Sequence, residues 1–196
     1  MKGRSEIDKE IGDLITFSDK VIYKTASIKR YNTTLIIQTQ SVLEHMGGVE
    51  IIAMLLADYF RKLGVKLDIE RVLRMAITHD LDEALYGDIP YDAKYEYGEV
   101  SKEFRASLDK MKDFTLKMLL NMLEDKDLAK SYFDLMMEEK GKQTTEAKIV
   151  KLADYIDVII FIDHELSLGN SSVKNIKKKA EQNIGRIIDD ILKEAK

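Results

Sequence analysis

Apolar residues recur at helical spacing along most of the chain, and this periodicity limits the fold more than any other feature. Within residues 5–22, Ile7, Ile11, Leu14 and Ile15 follow an i, i+4, i+7, i+8 pattern, which is typical of one face of an amphipathic helix. Further helices are predicted at about residues 42–63, 69–87, 96–124, 126–140, 144–168 and 171–193. No segment alternates in polarity as a half-buried strand does. The sequence therefore predicts an all-α fold, a bundle of about six to nine helices.

Local signals mark where several of these helices begin and end. Ser41 and Glu44 have the spacing of a capping box, and Asp68 precedes the next apolar run, so Ser41 and Asp68 are predicted N-caps. The segment 88–90 ends in the single proline of the chain, which predicts a turn there. The basic stretch 24–34 lacks a clean period and is predicted to be a loop.

The composition excludes several classes of protein. The chain has 196 residues, which fits one domain over 1–196. Hydrophobic residues make up 45% of it, too many for a disordered chain. There is no cysteine, so disulfides, thiolate zinc sites, iron–sulfur clusters and cysteine nucleophiles are excluded. Any metal must therefore be held by histidines and carboxylates.

The net charge and the lengths of the apolar runs limit the classes of partner that the chain can bind. The formal net charge is −4, which disfavours general nucleic-acid binding. The longest aliphatic or aromatic run, 158–162, is too short for a membrane span, and residues 1–10 contain no apolar signal segment. We therefore expect a cytoplasmic protein without a membrane partner. The isoleucine stripe of the last helix fits core packing or a subunit interface, and we expect a homo-oligomer, a dimer or larger.

Two of the three histidines are candidates for metal binding. A single histidine is most often an ordinary core or surface residue, but His45 and His79 lie at predicted helix ends beside acidic residues. Asp80 and Glu83 interrupt the apolar run next to His79, and Glu83 is at i+4 from it. Carboxylates packed together repel one another unless a cation neutralises them. His164 lies too far along its helix from the other candidates to join them.

Asp154 interrupts the apolar stretch of the 144–168 helix. It is a further candidate ligand. The alternative is an intrahelical pair with Lys151, at i−3, on the solvent side of the helix.

The order His45, His79-Asp80, Asp154 resembles the HD-domain metal phosphohydrolases. The resemblance is carried by four segments: SVLEH at 41–45, HDLDEALYGDIP at 79–90 with Lys94 beyond it, KIVKLAD at 148–154, and the Arg30-Tyr31 pair. Within that family the chain is similar to the bacterial 5′-deoxynucleotidases and the phage dATP triphosphohydrolases. Tyr31 stands where those proteins usually carry tryptophan.

The resemblance implies a single divalent metal held by His45, His79, Asp80 and Asp154. Two imidazoles and two carboxylates suit Co, Mn, Zn, Fe or Ni, and Mg is a further candidate. The metal would lower the pKa of bound water toward ~7. Asp80 would also orient that water.

Further residues are assigned to catalysis and to the substrate. Glu83 is the candidate general acid/base, or else it supports a ligand histidine. Arg30, Lys94 and Lys151, which flank the ligand segments, are candidates for neutralising phosphoryl oxygens; a lone lysine is more often simply solvated. Tyr31 and Asp88 are candidates for the sugar or base, with core packing and turn capping as their alternatives.

These assignments predict a metal-dependent phosphohydrolase acting on a small deoxynucleotide, a 5′-deoxynucleotidase in the first place. A dNTP triphosphohydrolase that releases triphosphate from dATP is the alternative, since the same ligands serve both reactions. A non-catalytic, metal-stabilised helical binding module and a nucleotide-sensing adaptor are further alternatives. A purely structural metal site needs neither Glu83 nor Arg30, which favours the enzyme.

Overall fold

A computed structural model describes residues 3–194, and these residues form nine α-helices. The helices are α1 (Arg4–Ser27), α2 (Val42–Lys62), α3 (Ile69–Thr78), α4 (Glu83–Tyr86), α5 (Tyr91–Tyr95), α6 (Glu99–Leu120), α7 (Lys126–Gly141), α8 (Thr145–Ser167) and α9 (Lys174–Glu194). A 3₁₀ turn, Ser171–Val173, precedes α9. Within residues 3–194 the only β-type pairing is an isolated bridge between Lys29 and Ser41. The predicted all-α fold is confirmed.

The main core lies between α2, α3, α8 and α9. Buried small residues such as Ala53, Ala76 and Ala153 alternate with larger ones such as Met75 and Ile191, so the helices can pack closely. Each fully buried large side chain contributes about 1.5–3 kcal/mol to folding. This packing places the first turn of α2, the end of α3 and the middle of α8 beside one another.

The structure has a second, smaller hydrophobic core. It is formed by α6 and α7, with Leu116, Leu120 and Met136 buried and Phe17 of α1 packed against them. None of the described helices combines the length and the apolar character that crossing a bilayer requires.

The predicted capping signals are present. The Ser41 hydroxyl accepts the Glu44 N–H at 3.2 Å, and the Glu44 carboxylate accepts the Ser41 N–H at 2.6 Å. Asp68 likewise accepts the N–H of Arg71. The capping box begins α2 at Val42 and so fixes His45 in its first turn.

Two helix boundaries differ from the prediction by five residues or more, and α6 and α9 differ from it by three or four residues at an end. Helix α1 continues to Ser27, so residues 24–27 are not loop, because Thr25 is buried one turn after Val21 and its hydroxyl donates to the Val21 carbonyl. Helix α3 ends at Thr78 rather than near residue 87. Its end tightens into i→i+3 hydrogen bonds, from Leu81 N–H to Thr78 and from Glu83 N–H to Asp80.

Helix α5 was not predicted. Pro90 directly precedes it and its carbonyl accepts the Lys94 N–H at 3.3 Å. Proline is well suited to a helix start because its missing N–H has no intrahelical partner there. The proline therefore ends one segment and begins the next.

Candidate metal centre and active site

His45, His79 and Asp80 form one cluster, in which one donor atom of each residue lies within 4.8 Å of the others, and the fourth predicted ligand, Asp154, contacts this cluster through His45. His45 Nε2 lies 3.3 Å from His79 Nε2, 3.6 Å from Asp80 Oδ2 and 3.4 Å from Asp154 Oδ1. His79 Nε2 is 3.1 Å from Asp80 Oδ2. His164 is elsewhere, at the surface, with Nε2 3.0 Å from the side-chain oxygen of Gln38.

The hydrogen bonds of the two imidazoles define their tautomers. His45 Nδ1 lies 2.6 Å from Asp157 Oδ2, and His79 Nδ1 lies 2.8 Å from the Ala76 carbonyl. Both partners are acceptors, so each Nδ1 carries a proton, and each Nε2 is the nitrogen that would present a lone pair to a bound metal. Two such nitrogens and the oxygens of Asp80 and Asp154 then face one another, an arrangement that requires a cation or a proton between them.

The spacing of these atoms fits a metal. Metal–nitrogen and metal–oxygen distances of about 2.0–2.2 Å place neighbouring donors about 2.8–3.6 Å apart, for angles between square and tetrahedral. The contacts around His45 Nε2 fall at 3.3–3.6 Å. The spacing of His45, His79 and Asp80 therefore suits a small divalent ion with nitrogen and oxygen ligands, and Asp154 is the candidate for a fourth ligand.

The local field also favours a cation. Burial by itself would lower the pKa of His79, but Asp80 beside it raises that pKa to about 10. Burial would raise the pKa of Asp154, but Lys151 and His45 hold it well below its usual range. The carboxylates that draw a proton onto His79 would also draw a divalent ion, which would take the place of that proton.

Glu83 begins α4 and is only 4% exposed. Its Oε2 is buried and finds no hydrogen-bond partner among the described residues. Burial first, and then the charges of Asp80 and Asp88, raise the pKa of Glu83 well above its ordinary value. The prediction that His79 and Glu83 share one face of a single helix is wrong, because α3 ends at Thr78. Both residues nevertheless line the same cavity. A buried, protonated carboxyl there can donate a proton.

The metal-ligand cluster opens into a cavity of about 580 Å³, within the usual range for small-molecule sites. All the predicted catalytic and substrate-binding residues line it. Its basic residues are Arg30, Lys94, Arg105, Lys112, Lys140, Lys142, Lys151 and Lys179. Burial and the neighbouring Lys112 lower the pKa of Lys94. Seven acids line the same cavity, namely Asp80, Glu83, Asp88, Asp109, Asp113, Glu139 and Asp154. An anionic ligand would therefore be held by individual basic side chains rather than by a large net positive charge.

The loop between α1 and α2 carries the Arg30-Tyr31 pair. The Arg30 guanidinium donates to the Gln40 side chain at 3.0 Å and lies 5.2 Å from the centre of the Tyr31 ring. Tyr31 has a φ of 58°, a left-handed conformation that needs outside support in a residue other than glycine. That support comes from Asp88, which accepts the Tyr31 N–H at 3.3 Å, and from Phe161, on which the ring stacks at 4.9 Å.

Two alternatives weighed from the sequence can now be compared with the geometry. Asp154 does pair with Lys151, but at 16% exposure its side chain faces the ligand cluster rather than solvent. Asp88 holds the backbone of Tyr31, and its carbonyl accepts the side-chain amide of Asn32. A contact between Asp88 and a sugar stays a prediction.

Sequence reasoning missed four residues of the site: Asp157, Glu139, Lys112 and Lys142. Asp157 had a detectable signal, since it is a second acid in an apolar helix and lies three residues after Asp154. The other three are on α6 or near the end of α7, where charged residues are numerous and spacing does not distinguish those that face the cavity.

Comparison with known proteins identifies relatives over most of the chain. The profile of a family described as 5′-deoxynucleotidase YfbR-like matches residues 12–194. The 5′-deoxynucleotidase YfbR of Salmonella arizonae is 29% identical over 158 residues, which cover 80% of this chain and 76% of that protein. A 5′-deoxynucleotidase of Klebsiella pneumoniae is 28% identical over the same shares.

Solved structures share the fold. An HD-domain phosphohydrolase of Listeria innocua superposes with a TM-score of 0.72 at 20% identity, covering 93% of this chain and 89% of that one. The HD phosphohydrolase DatZ of cyanophage S-2L, bound to dA and one catalytic Zn²⁺, has a TM-score of 0.51 at 16% identity, with 90% and 96% covered. With the family profile matching from residue 12 to residue 194, this chain belongs to the YfbR-like 5′-deoxynucleotidase family.

Proposed function

We propose that this chain is a metal-dependent 5′-deoxynucleotidase, which hydrolyses a deoxynucleoside monophosphate to the deoxynucleoside and phosphate. The observation that carries the proposal is the position of three donor atoms, from His79, Asp80 and Asp154, within 3.6 Å of His45 Nε2. They lie beside a cavity that is lined by eight basic residues and by the buried Glu83. Family membership supports the same reaction.

His45, His79, Asp80 and Asp154 are the residues that would hold the metal. The donor set suits Co, Mn, Zn, Fe or Ni, and Mg is compatible with its oxygen ligands. When bound, such an ion polarises a phosphoryl oxygen and lowers the pKa of a coordinated water. The Asp80 carboxylate has a second oxygen that would orient the attacking water toward phosphorus.

Glu83 would supply the proton that the leaving group needs. Water attacks phosphorus, the bond from phosphorus to the 5′-oxygen breaks, and the Glu83 carboxyl passes its proton to that oxygen. The proton that the water loses stays on the released phosphate or passes to solvent, and Glu83 takes up a proton again before the next turnover. The raised pKa of Glu83, caused by burial and by Asp80 and Asp88, keeps the proton available near neutral pH.

Basic side chains would hold the phosphate. Arg30, Lys94 and Lys151 line the cavity, and a phosphoryl group in transfer carries charge on its equatorial oxygens that fixed cations stabilise. Lys151 already pairs with Asp154, so it would link the metal ligand to the phosphate.

Tyr31 and Asp88 would lie beside the sugar. A close-packed surface under the sugar leaves a 2′-hydroxyl without a partner, which costs about 1–3 kcal/mol. We therefore expect deoxynucleotides to be preferred over ribonucleotides by about 5- to 150-fold.

The proposal is tested by incubating the purified protein, with Mn²⁺ or Co²⁺ added, with dNMPs, NMPs and dNTPs, and identifying the products. The expected result is inorganic phosphate and deoxynucleoside from dNMPs, with higher kcat/KM than from NMPs. Release of triphosphate from dATP, without turnover of dAMP, would replace the proposal with the triphosphohydrolase alternative. No turnover of any nucleotide would favour the non-catalytic module.

A further inference from the structure

Asp157 connects the metal ligands to the loop that carries Arg30. It lies on α8, is 6% exposed, and faces the first turns of α2. Its Oδ2 accepts the His45 Nδ1 proton at 2.6 Å and the Gln40 side-chain N–H at 3.1 Å. Arg30 Nη1 lies 3.8 Å from the same oxygen. One carboxylate oxygen therefore contacts a candidate metal ligand and two residues of the substrate-side loop.

Helix α2 makes room for this carboxylate at a single residue. A Cβ atom at Gly48 would lie 2.2 Å from Asp157 Oδ1 and 3.2 Å from its Cγ, whereas a Cβ at the adjacent Gly47 would meet nothing within 4 Å. Glycine inside a helix is less favourable than alanine. At position 48, glycine allows the Asp157 carboxylate to lie close to the α2 backbone, and the methyl group of an alanine would collide with that carboxylate.

The contacts give Asp157 two effects. Accepting the Nδ1 proton orients the His45 ring and directs its Nε2 lone pair at the cluster, and a carboxylate partner also makes the imidazole a stronger ligand. Gln40 donates to Asp157 and accepts from Arg30 at 3.0 Å, so the same carboxylate holds the guanidinium at the edge of the cavity.

We propose that Asp157 is a positioning residue that orients His45 toward the metal and Arg30 toward the phosphate, and that Gly48 is required for it to do so. This inference rests on the proposed function, because it assigns a role to a residue that supports the same site. It goes beyond the ligand set in predicting that a glycine on α2 and an acid on α8 act as a unit.

The experiment compares the full chain with five variants: Asp157→Ala, Asp157→Asn, Gly48→Ala, Gly47→Ala and the double variant Gly48→Ala/Asp157→Ala. Co²⁺ affinity is measured from the visible absorption of the bound ion, and kcat and KM are measured with dAMP. Gly47→Ala is the matched control, because it makes the same change to the same helix without approaching Asp157.

We expect Asp157→Ala to weaken Co²⁺ binding about 10- to 100-fold, the usual effect of losing the partner of a ligand histidine, and to raise the KM for dAMP. Asp157→Asn keeps an acceptor but loses the charge, so its Co²⁺ affinity should fall between those of wild type and Asp157→Ala. Gly48→Ala should weaken Co²⁺ binding at least threefold, by about 0.65 kcal/mol, whereas Gly47→Ala should match wild type.

The double variant separates a shared role from two independent defects. Once the carboxylate is removed, the methyl group added at position 48 has space, so the double variant should bind Co²⁺ as Asp157→Ala does. Wild-type affinity in both Asp157→Ala and Gly48→Ala, or additive losses in the double variant, would overturn the inference. If Asp157→Ala does not fold, Asp157→Asn and Gly48→Ala decide by the same criteria. Failure of the wild type to bind Co²⁺ or to hydrolyse dAMP would instead overturn the proposed function.

Discussion

The two walls of the cavity are built differently. In the metal wall, formed by His45, His79, Asp80 and Asp154, the donor atoms of the first three residues lie 3.1–3.6 Å apart, and Asp154 Oδ1 lies 3.4 Å from His45 Nε2. The substrate wall, formed by Arg30, Tyr31, Glu83, Asp88 and Lys94, includes two buried oxygens, Tyr31 Oη and Glu83 Oε2, for which the part of the chain that the structure describes offers no partner. The first wall is assembled in advance, and the second has hydrogen-bonding capacity left for a ligand.

The difference follows from what each wall rests on. The metal wall lies on α2, α3 and α8, whose apolar faces form the main core. The substrate wall lies on the α1–α2 loop and the short helices α4 and α5, which bury little apolar surface of their own. Rigid packing fixes donor positions to within the tolerance that a metal demands, whereas shorter elements can adjust to a nucleotide.

The largest effect is expected from breaking the metal wall. His79→Ala should remove both the bound metal and the activity, because Asp80 and Asp154 hold a borderline metal poorly without the second imidazole. His164→Ala is the matched control, since that histidine is at the surface and contacts Gln38. Metal content per chain and dAMP turnover are measured for both. Metal retained at wild-type stoichiometry in His79→Ala would contradict the ligand assignment.

Glu83→Gln should give the next largest effect. The amide has almost the shape of the protonated acid but has no acidic proton to transfer, so turnover should fall about 10²- to 10⁴-fold. Metal content should stay at the wild-type level. The exposed Glu99→Gln serves as control. If turnover survives, Glu83 supports the fold of the cavity rather than the chemistry.

Lys94→Met should weaken the contact with the phosphate while keeping the length of the side chain. Losing one charge-assisted hydrogen bond costs about 1.5–3 kcal/mol, which corresponds to about a 10- to 150-fold fall in kcat/KM for dAMP. Lys102→Met, a change at an exposed lysine that pairs with Glu99, should leave kcat/KM unchanged. Equal kcat/KM values for Lys94→Met and Lys102→Met would show that Lys94 does not contact the phosphate.

Asp88→Ala should change the turnover of dAMP least among these variants. Its main effect should be on the preference for dAMP over AMP. Without its carboxylate, the Tyr31 backbone loses an acceptor and the left-handed conformation loses support. The preference for dAMP over AMP, about 5- to 150-fold in the wild type, should then fall toward one. Both substrates are measured on the same preparation, so the ratio is its own control. An unchanged ratio would show that Asp88 and Tyr31 do not read the sugar.

The two walls also differ in how far the sequence predicts them. The metal wall could be predicted because its residues, His45, His79, Asp80 and Asp154, lie in segments that resemble those of HD-domain phosphohydrolases. The helices that carry or precede these segments also have a clear apolar period and clear N-caps. Asp157 required knowledge of how α8 packs against α2 at Gly48, a contact between helices that local patterns do not encode.

The substrate wall depends on features without a strong local signal. The left-handed Tyr31 is stabilised by Asp88, which is 57 residues away in the chain. Helix α5 has only five residues, too few to show a period. Lys112 is one of several lysines on α6, and only the packing of α6 and α7 makes it line the cavity.

We propose that one metal ion, bound by the residues of the metal wall, is required for hydrolysis of a nucleotide held by the substrate wall. Metal-free protein is titrated with Co²⁺ while phosphate release from dAMP is measured. Activity should rise in proportion to added Co²⁺ and reach its plateau at about one equivalent per chain, since the cluster around His45 Nε2 has room for one ion. Full activity in the metal-free protein, or a plateau reached only at two or more equivalents, would contradict the claim.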